Sequence, residues 1–278
     1  MAFEEILYEV DDRIATVTLN RPTKLNAWTP IMERAVRAAM CEAEADERVR
    51  VIIVTGAGRG FCAGADMQSL SSVAGADLTP EQLEEVVREN YAGESRTDTR
   101  PDFQKTYSYF PAVSKPILAA LNGPTAGLGL VLALYCDIRF ASEEARFGTA
   151  FSRRGLIAEH GISWMLPRLV GLSNALDLLY SARMIDADEA LRMGLVNRVL
   201  PHDRLLEDVR AYAKELANMV SPRSLRVIKR QVYEAQFQTL GEAIDTANIE
   251  MARSFACDDF REGVAHFLAK RPPNFTGR

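Results

Sequence analysis

Cysteine, histidine and tryptophan are scarce in this 278-residue chain, with four, three and two copies. The cysteines Cys41, Cys62, Cys136 and Cys257 form no C-x-x-C pair and stand apart from the histidines, which excludes a zinc-finger pattern and a disulfide framework and fits a reducing compartment. His160, His202 and His266 are too dispersed to support a metal cluster or a Ser-His-Asp triad. Positive charge is not in excess either: 33 Lys and Arg face 38 Asp and Glu, a net charge of −5, so no global field exists to hold a nucleic-acid backbone. Apolar runs such as Pro116–Leu121 fall far short of a membrane span, and the opening MAFEEILYEVDD carries acids where a targeting segment would carry Lys or Arg. The expectation is a cytoplasmic protein that binds neither nucleic acid nor membrane.

Hydrophobic residues at 47% and charged residues at 26% are those of a chain that buries an ordinary core. Alternation over Ile6–Val10 and Ala15–Leu19, about a turn at Asp11-Asp12, predicts a hairpin. Thr29 followed by Pro30 starts an amphipathic helix over Ile31–Ala45. The compact apolar runs Val49–Thr55, Ile117–Leu121, Cys136–Ala141 and Val196–Val199 alternate with helical segments, which predicts an α/β fold of repeated ββα units with mostly parallel pairing. From His202 onward the pattern is helical: Leu205–Val220, Pro222–Gln236, Leu240–Phe255 and Asp259–Ala269. Residues 1–200 thus read as an α/β core and 201–278 as a helical C-terminal region. Apolar residues there, among them Leu205, Leu206, Val209, Ile228, Ile244 and Ile249, point to self-association. The stretch Ser71–Arg100 is polar and weakly periodic, the expected variable segment.

Two glycine-rich loops, Gly56–Asp66 and Asn122–Gly129, each read as strand, tight turn and helix start. Helix N-termini present unpaired backbone N–H groups to negative charge, and two of them can converge on one oxyanion. The first loop lacks the G-x-G-x-x-G spacing, which argues against a dinucleotide site.

The motifs FCAGAD, KPILAALNGPTAGLG, ALYCDIRFAS, ARFG, LPRLVG and the ending DDFREGVAHFLAKRPPNF, in this order, resemble the crotonase superfamily, the enoyl-CoA hydratase/isomerase family, over nearly the whole chain. The resemblance implies a crotonase-like spiral followed by a helical region that trimerises and covers the CoA site, in a homotrimer or a dimer of trimers. It implies an acyl-CoA thioester substrate and no cofactor, CoA being part of the substrate. It carries the oxyanion hole onto the backbone N–H groups of Ala65 and Leu128. CoA would run along Arg59, Ala63 and Ala65, with Phe267 and Lys270 closing over it from a neighbouring subunit.

The chain departs from the family's hydratases at both catalytic glutamates, which align with Val131 and Phe151. Neither side chain transfers protons. An acid does stand at Glu159, where dienoyl-CoA isomerases of the family carry an aspartate, and its apolar neighbours Ile157, Ala158, Ile162 and Trp164 are expected to raise its pKa. Alternatively Glu159 caps the Ile162 helix or pairs with Arg153 or Arg154. His160 is a second acid/base candidate, ranked lower because neighbours on a turn usually point apart. A lone carboxylate favours a proton shift over water addition; hydration or hydrolysis through Glu159 or His160, and non-catalytic thioester binding, are the alternatives.

Overall fold

The hairpin that opens the chain turns at Asp12 and Arg13, whose φ values of 49° and 66° are both left-handed, one residue later than the sequence suggests. Such primed turns twist with their strands, and here they fix a register running from Ile6↔Leu19 to Asp11↔Ile14. The computed structural model describes residues 3–75, 77–90 and 99–278. In chain order the elements are β1 (Ile6–Asp11), β2 (Ile14–Leu19), α1 (Pro30–Ala45), β3 (Val51–Gly56), α2 (Met67–Ala74), α3 (Pro80–Asn90), β4 (Ile117–Leu121), β5 (Thr125–Ala126), α4 (Leu128–Tyr135), β6 (Ile138–Ser142) and β7 (Arg146–Gly148). They continue with α5 (Ile162–Val170), α6 (Leu172–Ser181), β8 (Ile185–Asp186), α7 (Ala187–Arg192), β9 (Arg198–Leu200), α8 (Leu205–Met219), α9 (Pro222–Glu234), α10 (Leu240–Phe255) and α11 (Asp258–Ala269).

A six-stranded sheet runs β1-β2-β3-β4-β6-β9, parallel throughout except for the first hairpin. A smaller sheet of β5, β7 and β8 stands beside it, so the chain repeatedly passes from a long strand to a short one and then to a helix. This is the α/β spiral expected. The short strands were not predicted, because two or three residues are too few to show a period of two.

Alternation across the pleat explains why the long strands are apolar throughout. Ala15, Val17, Ile52, Val54, Ile117, Ala119 and Leu121 face the main core, and Ile14, Val51, Ile53, Leu118, Ala120 and Phe140 face the other side. On the main side α1 contributes Met32, Ala35, Val36, Ala39, Met40 and Ala43, and its first turn is capped by Thr29 Oγ1, which accepts from Met32 N at 3.0 Å. On the other side α8 lays down Leu205, Val209, Ala213 and Ala217, one stripe at four-residue spacing. Burying each Leu or Val contributes about 1.5–3 kcal/mol. Leu205 and Val209, expected at a self-association face, therefore cover the sheet instead.

Helices α10 and α11 differ from α8. Their buried residues are the acids Glu250 and Asp259. Glu250 accepts from Arg230 at 2.8 Å and Arg253 at 2.7 Å, and Asp259 accepts from Ser221 Oγ at 2.5 Å and Thr276 N at 2.8 Å. Their apolar side chains are outside, with Phe267 77% and Leu268 75% exposed. The segment expected to be variable contains α3, and its residues 76 and 91–98 lie outside the described residues. No helix among the described residues is long and apolar enough to cross a membrane.

Candidate functional site

Ala65 sits where the loop after β3 crosses the chain entering α1. A parallel bridge joins it to Trp28 through Trp28 N to Gly64 O at 2.8 Å and Asp66 N to Trp28 O at 2.9 Å. The bonds use the groups on either side of Ala65, so its own N–H points away from Trp28. Leu128 is the first residue of α4, where the N–H has no intrahelical partner. The two loops lie against each other: Ala126 N donates to Cys62 O at 2.9 Å, and a Cβ on Gly64 (φ 103°) would stand 3.0 Å from Ala126 O and 3.7 Å from Gly127 Cα. That closeness requires glycine. The two donors predicted as a pair are thus carried on abutting turns.

Long-range side-chain bonds, none of them legible in local sequence patterns, hold the loop's conformation. Asn26, fully buried, donates from its amide to Ala57 O at 3.0 Å and Gly60 O at 2.7 Å. Asn122 donates to Gly58 O at 2.8 Å. Arg21 pairs with Asp66 at 3.0 Å, and this hydrogen bond holds the Asp66 carboxyl below its usual range. These contacts join residues dozens of positions apart, beyond the reach of local patterns. Trp28 is a further omission: its indole Nε1 is buried without a hydrogen-bond partner among the described residues, and its ring packs edge-on against Tyr107 at 6.3 Å.

Val131 and Phe151, at the two departures from the family pattern, are both in the main core. The segment holding Phe151 runs beside the Gly127 turn, since Gly127 N donates to Gly148 O at 2.9 Å. Nine residues after Phe151 the chain turns through His160 (φ 53°) and Gly161 (φ 80°) into α5. This left-handed step brings Glu159 Oε2 to 3.6 Å from His160 Nε2, so the two neighbours meet rather than point apart. Burial raises the Glu159 pKa above its ordinary value and lowers that of His160 to about 4. The imidazole is therefore neutral at pH 7 and offers the carboxylate no counter-charge. The capping alternative fails at the side chain: α5 has no side-chain cap, and only the Glu159 backbone oxygen accepts, from Ile162 N at 3.0 Å. The arginine pairing fails too, since Arg153 donates to Ser181 O at 2.9 Å and Arg154 to Ala150 O at 2.9 Å.

His160 and Gly161 line a cavity of about 370 Å³, together with Tyr107, Tyr135, Trp164 and Phe237. Arg59 is exposed within the first loop, and Ala63 N donates to Leu25 O at 3.0 Å. Phe267 lies exposed in the last turn of α11 and Lys270 exposed at its C-cap. Among the described residues no group of three His, Cys, Asp or Glu side chains is arranged to hold a metal ion.

A model of the enoyl-CoA hydratase/isomerase family matches residues 9–278. A probable enoyl-CoA hydratase of Mycobacterium tuberculosis is 35% identical over 278 residues, covering 100% of both chains. The 1,2-epoxyphenylacetyl-CoA isomerase of Escherichia coli is 33% identical, covering 99% of each. The crystal structure of an enoyl-CoA hydratase from Bacillus anthracis superposes with a TM-score of 0.86 at 27% identity, over 99% of this chain and 100% of that one.

Proposed function

The chain belongs to the enoyl-CoA hydratase/isomerase family, and on that premise we propose that it isomerises acyl-CoA thioesters by moving a proton between carbons. The thioester carbonyl oxygen accepts from the N–H groups of Ala65 and Leu128, and negative charge gathers on it as the enolate forms. Glu159 takes the proton from one carbon and returns it to another, so the double bond shifts with no atom gained or lost. The observation that carries this reading is the exchange of proton-transfer groups: Val131 and Phe151 are core residues, whereas Glu159 is a half-buried carboxyl of raised pKa beside the cavity wall. An isomerase among the relatives supports it.

The same reading has CoA pass along Arg59, Ala63 and Ala65, with Phe267 and Lys270 of a neighbouring subunit closing over it in a trimer. It needs no cofactor besides the CoA of the substrate, and it places the work in the cytoplasm. The test is incubation with enoyl-CoA thioesters in D₂O, followed by mass spectrometry. Deuterium exchange with a shifted double bond is expected. A hydrated product would return the assignment to hydration, released CoA would point to hydrolysis, and binding without any conversion would leave a thioester-binding protein.

A further inference from the structure

Resting on the acyl-CoA reading above, we propose that the preferred acyl groups end in an aromatic or other unsaturated ring, seated in the cavity beyond the reacting carbons. Two routes through the structure locate that cavity. Along one, Ala65 is bridged to Trp28, whose ring centroid lies 6.3 Å from that of Tyr107, and Tyr107 lies 4.6 Å from His160. Along the other, α4 runs from Leu128 to Tyr135, about 10 Å at the helical rise per residue. A carbonyl held at the start of α4 therefore has the cavity one helix length away, and Glu159 lies next to its wall, 3.6 Å from His160. An acyl group of two to four carbons does not reach that far.

The walls select among longer groups. Phe103, Tyr107, Tyr135, His160, Trp164 and Phe237 are all ring residues, and Met165 is the one large aliphatic side chain of the lining. A pocket for a straight chain is served by Leu, Ile and Met. Rings instead favour another ring, by offset or edge contacts contributing about 0.5–1.5 kcal/mol per pair beyond the area covered. The walls already use both modes: Trp164 and Phe237 stack at 5.4 Å and 13°, and Phe103 meets Phe237 edge-on at 5.9 Å and 70°. Two wall rings are also braced, since the Arg168 guanidinium lies 3.8 Å over Trp164 and that of Arg100 4.1 Å over Phe237. A cavity of about 370 Å³ has the volume of a small-ligand site.

The test uses saturated thioesters, which bind without reacting: butanoyl-CoA, nonanoyl-CoA and 3-phenylpropanoyl-CoA, titrated calorimetrically into the wild-type chain. The phenylpropanoyl thioester is expected to bind at least tenfold more tightly than either of the others, although nonanoyl-CoA matches it in carbon number. Equal affinity for the nine-carbon pair overturns the ring preference while leaving the acyl-CoA reading intact. Absence of binding by all three overturns both. Phe237→Leu, at a partly exposed position that tolerates the change, is expected to cut the phenylpropanoyl-to-nonanoyl ratio at least threefold. An unchanged ratio in that variant also overturns the proposal.

Discussion

The hydroxyl of Tyr135, the last residue of α4, donates a 2.9 Å hydrogen bond to the carbonyl oxygen of His160. It thereby ties the helix that begins at one proposed oxyanion donor to the turn that carries the proposed base. Burial pushes the Tyr135 phenol up to about 12, so it remains a neutral donor over the working pH range. Gly161 fits under the same hydroxyl: a Cβ there would stand 2.3 Å from the Tyr135 oxygen, at a φ of 80°.

That packing predicts a measurable coupling. Tyr135→Phe leaves the His160 carbonyl without its donor and is expected to cost about 1–3 kcal/mol of stability. Gly161→Ala alone adds the clash to the left-handed strain, whereas in the Tyr135→Phe background only the strain remains. Denaturant titration of the four proteins should show Gly161→Ala costing at least 1 kcal/mol less in the double variant, in the range of couplings between touching residues. Additive costs would show that the turn does not rest on Tyr135.

Glu159→Gln keeps the shape of the side chain and removes the base. Turnover is expected to fall about 10²–10⁴-fold while thioester affinity changes little. A base must be ionised, and burial raises the Glu159 pKa above its ordinary value, so wild-type turnover should rise with pH along a limb above the usual carboxylate range. The same burial means that this group's contribution to stability is full at low pH and is lost as pH rises through the raised pKa. Undiminished turnover in Glu159→Gln would remove it from the chemistry.

His160 gives the opposite sign. Its pKa is lowered to about 4 by burial, so the unfolded chain binds the proton first as pH falls. The stability it confers is present above about pH 6.5 and is lost progressively toward pH 4, about 3 kcal/mol in all for 2.5 units at 1.36 kcal/mol each. Unfolding curves at pH 7 and pH 4.5 should show a smaller acid loss for His160→Gln than for the wild type. Equal losses would mean that the imidazole is protonated in the folded protein.

Leu128→Pro tests the proposed oxyanion donor in isolation. Proline is tolerated in the first helical turn, where the N–H has no helical partner, so α4 should persist while the donor disappears. Turnover is expected to drop about 10²–10³-fold. Leu128→Ala loses the same side chain but keeps the N–H, and should retain most activity. Equal losses in the two variants would assign the effect to packing.

Self-association is expected from the outward apolar faces of α10 and α11. Sedimentation at micromolar concentration should show a species larger than the 30.9 kDa chain. Ile249→Glu, at an exposed position on α10, should shift it toward monomer. A wild-type monomer would leave those faces without a partner of this kind.

Features written in adjacent residues could be read from the sequence. The hairpin, α1, β4 and α10 follow from periodicity and caps, and the two glycine loops follow from strand endings. Contacts between distant segments could not be read: Asn26 reaching Gly60, Arg21 reaching Asp66, and α8 settling on the sheet rather than standing outside it. The Glu159 and His160 pair was misjudged for a different reason. Nothing in the residue type announces a histidine at φ 53°, which Tyr135 and the following glycine make possible.

The apolar filling at Val131 and Phe151 also bears on ancestry. Both residues are buried in one continuous core, at positions where the family resemblance implies glutamates in hydratases. A single Val131→Glu would place a carboxyl where no water reaches it, and it would remain protonated and useless as a base. A second acid at 151, buried in the same core, would be held uncharged in the same way. The two acids become useful only together with the channel that hydrates them. A chain that has filled this space with apolar side chains therefore does not regain a working base there by a single substitution.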